Sequence, residues 1–226
     1  MGIIVGHKKV ISFSIWGNSL HYILGAILNA DIAEKDWPEW ICRFYISPNV
    51  PQEAVDELSK RKNVEIVKMD KDESWNGMFW RFFAASDPEV DVVIFRDTDS
   101  RLNIRDKAAV DDWLDSPSDK KIHIMRDMCQ HGWVICGGAW GARGGILKDI
   151  KNKIENFEIK DQERFNKHGI DQMFLQYEIY ENLLEYLYVH DDWFPDTFTH
   201  EEKHPMPIPR LRGEDWWKQE IPEWHC

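Results

Sequence analysis

Residues 92 to 102 read VVIFRDTDSRL, a β-branched and aromatic run that ends in two aspartates one residue apart. An ionised carboxylate buried without a partner is costly, so a pair at the mouth of a strand points to a cation, a catalytic proton or a cap. On extended backbone, side chains two apart point the same way, and both Asp97 and Asp99 can therefore approach one site. Together they can hold Mg2+ or Mn2+, hard cations that take oxygen ligands and leave positions for phosphates. The plain alternative is a polar strand end with Asp99 capping a turn. An EF-hand loop is a poor match, because Ser100, Arg101 and Leu102 do not supply its further acidic ligands and its glycine.

A second constellation, HEEKH from His200 to His204, is formally the HExxH of zinc proteases. That motif needs a continuous helix to set both imidazoles on one face. Pro205, Pro207 and Pro209 follow at once and break any such helix, so a solvated loop is the expectation.

The elements that position these residues must come from a chain of 226 residues, one large domain or two small ones. A net charge of −12 argues against a nucleic-acid partner, since affinity for a polyanion comes mainly from Lys and Arg on phosphates. The four cysteines (Cys42, Cys129, Cys136, Cys226) form no CxxC pair, which suggests free thiols in a reducing compartment. The opening MGIIVGHKKV is too short an apolar stretch for a signal peptide or membrane span, and it lacks the myristoylation pattern. A cytoplasmic protein without a membrane span is expected. Among 12 tryptophans, Trp133, Trp140, Trp216 and Trp217 lie in segments rich in Gly, Pro or charge, where rings are expected to be partly exposed. Sugars and bases stack on such faces, although core filling is the ordinary role.

Along the chain, KVISFSIW (9 to 16) reads as a strand and LHYILGAILNADIA as a helix. ICRFYIS (41 to 47) and VEIVKM (64 to 69) are further strands, separated by PQEAVDELSKR, whose proline suits a helix start. WNGMFWRFFAAS is a short helix, and DVVIF (91 to 95) delivers the aspartates. The alternation predicts right-handed βαβ units and a mainly parallel central sheet flanked by helices. Then come a helix (DKAAVDDWLD), a strand (IHIM), a glycine-rich segment (GGAWGARGG), two helical stretches and a strand (EYLYVH). From Asp191 onward, scattered prolines and aromatic residues predict an extended segment packed over the domain.

Three strands before a DxD, with GGAWG and GIDQMFL after it, resemble the nucleotide-sugar glycosyltransferases of the GT-A type. The likeness is to the glycogenin-like and lipopolysaccharide galactosyltransferase-like retaining enzymes, including short phage and large-virus relatives. It covers most of the chain in pieces. It implies a single GT-A-like, Rossmann-like α/β domain over 1–226, with a nucleotide-binding half (1–102) and an acceptor half (103–226). It further implies a sugar moved from a nucleotide-sugar, UDP-linked, to a glycan or other acceptor hydroxyl, with Mn2+ or Mg2+ on Asp97 and Asp99. By the same resemblance Asn18 and Tyr22 contact the uridine, Arg81 reaches the donor sugar and phosphate, and Arg101 adds positive charge there. Gly137 and Gly138 border the sugar pocket, Asp171 binds sugar hydroxyls, and Gln172 lies on the β face of the donor. The third metal ligand falls to His190, with His200 and His204 behind it, although the family's HxxGxxKPW pattern is absent. From the residues alone Asp171 is equally an N-cap.

Two other classes fit parts of the sequence. FRDTDSRL also approaches the DxDx(T/V) of haloacid-dehalogenase-type phosphatases, although those open their core with this strand and Arg101 replaces Thr or Val. A non-catalytic carbohydrate-binding protein would instead rely on the tryptophans.

Overall fold

The predicted alternation is present in the structure, a computed structural model that describes residues 8–70, 76–127, 132–160, 169–194 and 196–209. Strand β1 (Lys8–Ile15), helix α1 (Leu20–Asp36), β2 (Trp40–Ile46), α2 (Gln52–Ser59) and β3 (Val64–Lys68) form the first half. Helix α3 (Gly77–Trp80) runs straight into a 3-10 turn (Arg81–Ser86) and leads to β4 (Val90–Phe95). Then follow α4 (Ile104–Asp115), β5 (Ile122–Arg126), β6 (Trp140–Arg143), α5 (Ile150–Lys160) and α6 (Ile170–Phe174). Helix α6 widens into a π-helical stretch (Leu175–Tyr180) before β7 (Leu187–Asp191) and the two-residue β8 (Lys203–His204).

These strands make one sheet in the order β3-β2-β1-β4-β6-β5-β7-β8. Strand β6 is antiparallel to both neighbours, β4 and β5, and the other neighbouring pairs are parallel. The two halves therefore share a single sheet joined at β4 and β6.

Strand β6 lies inside the segment that reads in sequence as glycine-rich. It is only four residues long, and Gly141 within it lets the Val93 carbonyl come 2.8 Å from where a Cβ would stand. Its reversal matters for the site: Phe95, the last residue of β4, pairs with Trp140, the first of β6, so the residues just before β6 lie beside those just after β4. The expectation of an exposed Trp140 is wrong. Its ring is fully buried, 4.2 Å from Phe95 and 5.3 Å from Phe82 between centroids.

Alternation along β1 divides the core. Ile11, Phe13 and Ile15 face α1, α2 and α4, whereas Val10 joins the opposite layer with the 3-10 turn, α5 and α6. Ser12 and Ser14 share the second face and are buried too. Phe82 packs in that layer against Phe95, Trp140, Phe79 and Phe174; truncating such a ring to alanine costs about 3–5 kcal/mol. The turn that carries Arg81 is thereby held by its neighbour in sequence.

Residues 191–194 and 196–209 belong to the extended segment expected over the domain, with β8 paired to β7. Trp216, Trp217 and Cys226 of the tail, and Cys129, lie outside the described residues. Cys42 and Cys136 are buried free thiols. Among the described residues no helix is long and apolar enough to cross a membrane.

Candidate active site

At the end of β4 the chain is anchored before it reaches the aspartates. Arg96 is buried and makes a forked pair with Asp106 (Nε to Oδ2 2.9 Å, Nη2 to Oδ1 2.6 Å). Its Nη1 donates to the carbonyls of Phe95 (2.7 Å) and Trp140 (3.1 Å), which fastens β4, β6 and the first turn of α4 together. Asn103 caps α4 by accepting from the Asp106 N–H at 3.0 Å. Between these two anchors lies the loop Asp97-Thr98-Asp99-Ser100-Arg101-Leu102.

Arg81 approaches this loop from the neighbouring turn. The Ser14 hydroxyl accepts from its N–H at 2.9 Å and the Ser12 hydroxyl donates to its carbonyl at 2.6 Å, so the two β1 serines fix its backbone. The guanidinium is buried between two carboxylates: Nη1 donates to Asp97 Oδ1, and Nη2 donates to Asp171 Oδ2 at 3.0 Å. Its Nε is buried without a partner among the described residues. Asp171 stands in the first turn of α6, but it does not cap that helix; Gly169, at φ 82°, occupies the cap and no side chain caps it. The carboxylate goes to Arg81 instead.

Gly137 and Gly138 close the arrangement. A Cβ at Gly138 would lie 2.6 Å from Asp97 Cγ, and one at Gly137 would lie 2.7 Å from Arg81 Nη2 and 3.3 Å from Asp171 Cγ. Only glycine lets this backbone come so near the ion pairs. Five residues expected from sequence, Arg81, Asp97, Gly137, Gly138 and Asp171, are thus brought together from the 3-10 turn, the loop after β4, the loop before β6 and α6.

The electrostatics of the cluster are unbalanced. Burial, followed by the Asp97 charge, pushes the Asp99 carboxyl above its ordinary range. Asp171 is likewise raised by burial, although Arg81 pulls the other way. Burial opposes the charge on Arg81, yet Asp97 and Asp171 hold its pKa above the usual value. Tyr22 is 43% exposed, and its phenol is raised by burial and then by Asp99 and Asp97, which places it beside the aspartate pair. Asn18 is exposed in the turn before α1. Gln172, next to Asp171, has a buried Oε1 without a partner among the described residues. Arg101 donates through Nη1 to the Thr98 (2.8 Å) and Ser100 (3.0 Å) carbonyls, so it braces its own loop while lying near Asp99.

The structure does not bring His190 to the pair, which corrects the expected third ligand. His190 is fully buried in β7, with Nδ1 2.9 Å from His123 Nε2 and Nε2 3.2 Å from Asp112 Oδ2. The reserves fare no better, since His204 stacks on Tyr188 at 4.1 Å, and among the described residues no three His, Cys, Asp or Glu side chains group to hold a metal. The physical reason is that β7 is separated from β4 by β6 and β5. The remaining donor set still suits a hard divalent cation. Asp97 and Asp99 supply oxygen, Asp99 carries a charge that its surroundings disfavour, and phosphate and water complete the coordination of such ions in sites of this kind.

HEEKH is neither a zinc helix nor a solvated loop. Arg126, fully buried at the end of β5, donates through Nη1 to Asp191 Oδ2 at 3.1 Å and also to Glu201. Its remaining nitrogens reach Glu201 Oε2 (3.2 Å), the Val134 carbonyl (2.6 Å) and the Trp133 carbonyl (3.2 Å). Glu201 also accepts from the Tyr180 hydroxyl at 2.9 Å, and Lys203 Nζ lies 3.8 Å from Asp191. Glu201 and Lys203 of the motif thus staple the C-terminal segment to the sheet.

Sequence reading missed Ser12, Ser14 and Asn29. The serines are visible as polar residues at alternate positions of an apolar strand. Asn29 is the lone amide on the buried face of α1, between Ala26, Ala30 and Ala33.

A cleft of about 650 Å3 over β2 and β3 is a poor competitor, because two of its three cations, Lys8 and Arg43, are already paired with Glu65, Glu89 and Asp87, and the third, Lys151, lies over the Phe83 ring.

No protein-family profile matches the sequence, and no curated protein matches it. Solved structures do resemble it. A glycosyltransferase involved in the glycosylation of the major capsid of PBCV-1 superposes with a TM-score of 0.54 at 12% identity, with 81% of each chain covered. TarS of S. aureus (residues 1–349) gives 0.54 at 18% identity, over 82% of this chain and 58% of that one. The glycosyltransferase GlyE of Streptococcus pneumoniae gives 0.53 at 13% identity, over 83% of this chain and 46% of that one. At such identities the likeness is one of fold: the chain has the GT-A glycosyltransferase fold, and it spans about half the length of the last two structures.

Proposed function

We propose that the chain is a metal-dependent glycosyltransferase that moves a sugar from a UDP-sugar to a hydroxyl of a glycan or other acceptor, with retention of anomeric configuration. The observation that carries the reading is the buried Arg81, which joins the DxD carboxylate Asp97 to Asp171 against the bare backbone of Gly137 and Gly138. Ligands of open α/β sheets bind at the carboxyl ends of the strands, and all of these residues stand there.

In this reading residues 1–102 bind the nucleotide, with Tyr22 and Asn18 at the uridine, and residues 103–226 receive the acceptor. Asp97 and Asp99 hold Mn2+ or Mg2+, which when bound acts as a Lewis acid on the leaving diphosphate. Arg81 orients Asp97 and Asp171 while adding positive charge where the diphosphate departs. Asp171 accepts hydrogen bonds from sugar hydroxyls through the lone pairs that Arg81 does not use. Gln172 turns its unpartnered carbonyl oxygen toward the donor. Arg101 shapes the loop and lends its charge from behind. A cytoplasmic setting agrees with the buried free thiols Cys42 and Cys136. The phosphatase alternative loses ground, because Asp97 follows the fourth strand of the sheet and not its first.

Titrating UDP with and without Mn2+ tests the reading. Binding should require the metal in wild type and become indifferent to it in Asp99→Asn. UDP affinity that is equal in all four conditions would overturn the transferase.

A further inference from the structure

We propose that Asn29 is a positioning residue that sets the shape of the aspartate loop and, through it, the affinity for the divalent cation. The proposal rests on the transferase reading of that loop.

Asn29 lies fully buried on α1, and every polar atom of its amide is spent on one stretch of chain. Its Nδ2 donates to the Ser100 carbonyl at 2.8 Å and more loosely to the Thr98 carbonyl at 3.4 Å, while its Oδ1 accepts the Leu102 N–H at 3.0 Å. These partners bracket Asp99 on both sides. A primary amide is the one side chain of this size that offers donors and an acceptor together, which is what a loop presenting two carbonyls and an N–H demands. Aspartate would turn acceptors toward the carbonyls, and leucine would give up all three bonds, leaving the Leu102 N–H bare and the two carbonyls to Arg101 alone.

One helical turn earlier, Gly25 makes room for the contact. A Cβ there would lie 2.9 Å from both the Thr98 carbonyl carbon and Arg101 Nη1, so helix and loop touch backbone to backbone. Arg101 donates to the same two carbonyls, of Thr98 and Ser100, that Asn29 uses. The loop is thus gripped from the helix and from its own side chain, and the carbonyls point inward. The Asp97 carboxylate of the same loop turns instead to Arg81.

Tyr22, Gly25 and Asn29 share one face of α1, three and four residues apart. Tyr22 sits beside the aspartates at the upper end of that face. The same helix therefore bears a residue assigned to the nucleoside and the residue that holds the metal loop, and a shift of one is felt by the other. Groups that orient metal ligands without touching the metal typically account for about 10–100-fold in metal affinity.

The test uses the whole chain, Mn2+ and UDP. For Asn29→Ala and the better-filling Asn29→Leu, the Mn2+ concentration that half-saturates UDP binding should rise about 10–100-fold. UDP affinity at saturating Mn2+ should stay within a few-fold of wild type, a split that a general loss of structure does not produce. An unchanged Mn2+ requirement in a variant that melts cooperatively overturns the proposal. Wild type that ignores UDP at every Mn2+ concentration instead overturns the transferase reading beneath it. If neither variant folds, hydrogen exchange at the Leu102 amide of wild type decides: exchange should slow when Mn2+ and UDP are added together, and an unaltered rate overturns the proposal.

Discussion

Arg81 and Arg126 are both buried, and each sits between two carboxylates, yet their surroundings differ in a way that separates a site from a staple. Around Arg126 every nitrogen has a partner, Lys203 adds a second positive charge, and Phe198 covers the guanidinium at 4.2 Å. Positive and negative charges match, so the cluster is complete in itself. Around Arg81 three carboxylates gather, Asp97, Asp171 and Asp99, while the guanidinium contacts only the first two and leaves Nε unpartnered. Two glycines replace the side chains that would have filled the space. An ion cluster that stops short of neutrality, beside bare backbone, is where the transferase reading puts its cation and ligand.

The comparison is broken most forcefully by removing each arginine. Arg126→Ala strands two carboxylates in the interior, and loss of one partner from such a buried set costs about 3–5 kcal/mol. A large fall in melting temperature is expected, with the Mn2+-dependent UDP affinity of the folded fraction kept. Arg81→Ala should destabilise by a similar amount and abolish that binding. Its stability should also depend more steeply on pH in the acid range: Asp171 already binds a proton more readily folded than unfolded, and without the guanidinium that preference grows, so stability falls further as pH rises above the ordinary carboxylate range and recovers in acid. If UDP binding survives Arg81→Ala but not Arg126→Ala, the roles assigned to the two arginines are reversed.

Much of this contrast was legible in the sequence, but unevenly. The βαβ half could be read because strands and helices there follow clean periodicities, and the aspartate pair followed from its strand. Arg81, Asp171, Gly137 and Gly138 were located by resemblance, since nothing in FWRFF or GIDQM says that the two meet 90 residues apart. The error at His190 has a plain cause: a histidine closing a strand looks alike whether it faces a ligand or another buried imidazole, and only the strand order decides. HEEKH misled in the opposite sense, because Glu201 and Lys203 look solvated until Arg126 and Asp191 are seen beneath them. The antiparallel β6 was hidden by its four-residue length.

A smaller effect is expected at His190. His190→Gln takes a hydrogen-bond partner from the buried His123, a loss of about 1–3 kcal/mol. The Mn2+ requirement should not move, and a rise in it would return His190 to the metal. Burial lowers the pKa of both imidazoles in the folded chain, and their mutual repulsion lowers His123 further, so the unfolded chain takes up protons first. Wild-type stability therefore drops as pH falls below the ordinary histidine range, and the variant should show a shallower drop.

The smallest shift is the most telling. Asp99 is raised by burial and by Asp97, so at neutral pH its charge works against folding of the metal-free chain. The folded state holds a proton there more tightly than the unfolded state does, which means this penalty is absent below the unfolded carboxylate pKa and grows as pH rises through the folded value. Asp99→Asn removes the charge and keeps the shape. Thermal melts of metal-free protein at neutral pH should then give a modestly higher melting temperature for the variant, with the gain vanishing in acid. Adding Mn2+ should stabilise wild type and leave Asp99→Asn unmoved, because a cation that binds the folded state alone raises its stability. A residue that weakens the empty protein and is relieved by the ion is placed for binding, since architecture alone would favour asparagine. A variant less stable than wild type at neutral pH would make Asp99 a structural cap and return the aspartate pair to the plainest of its original readings.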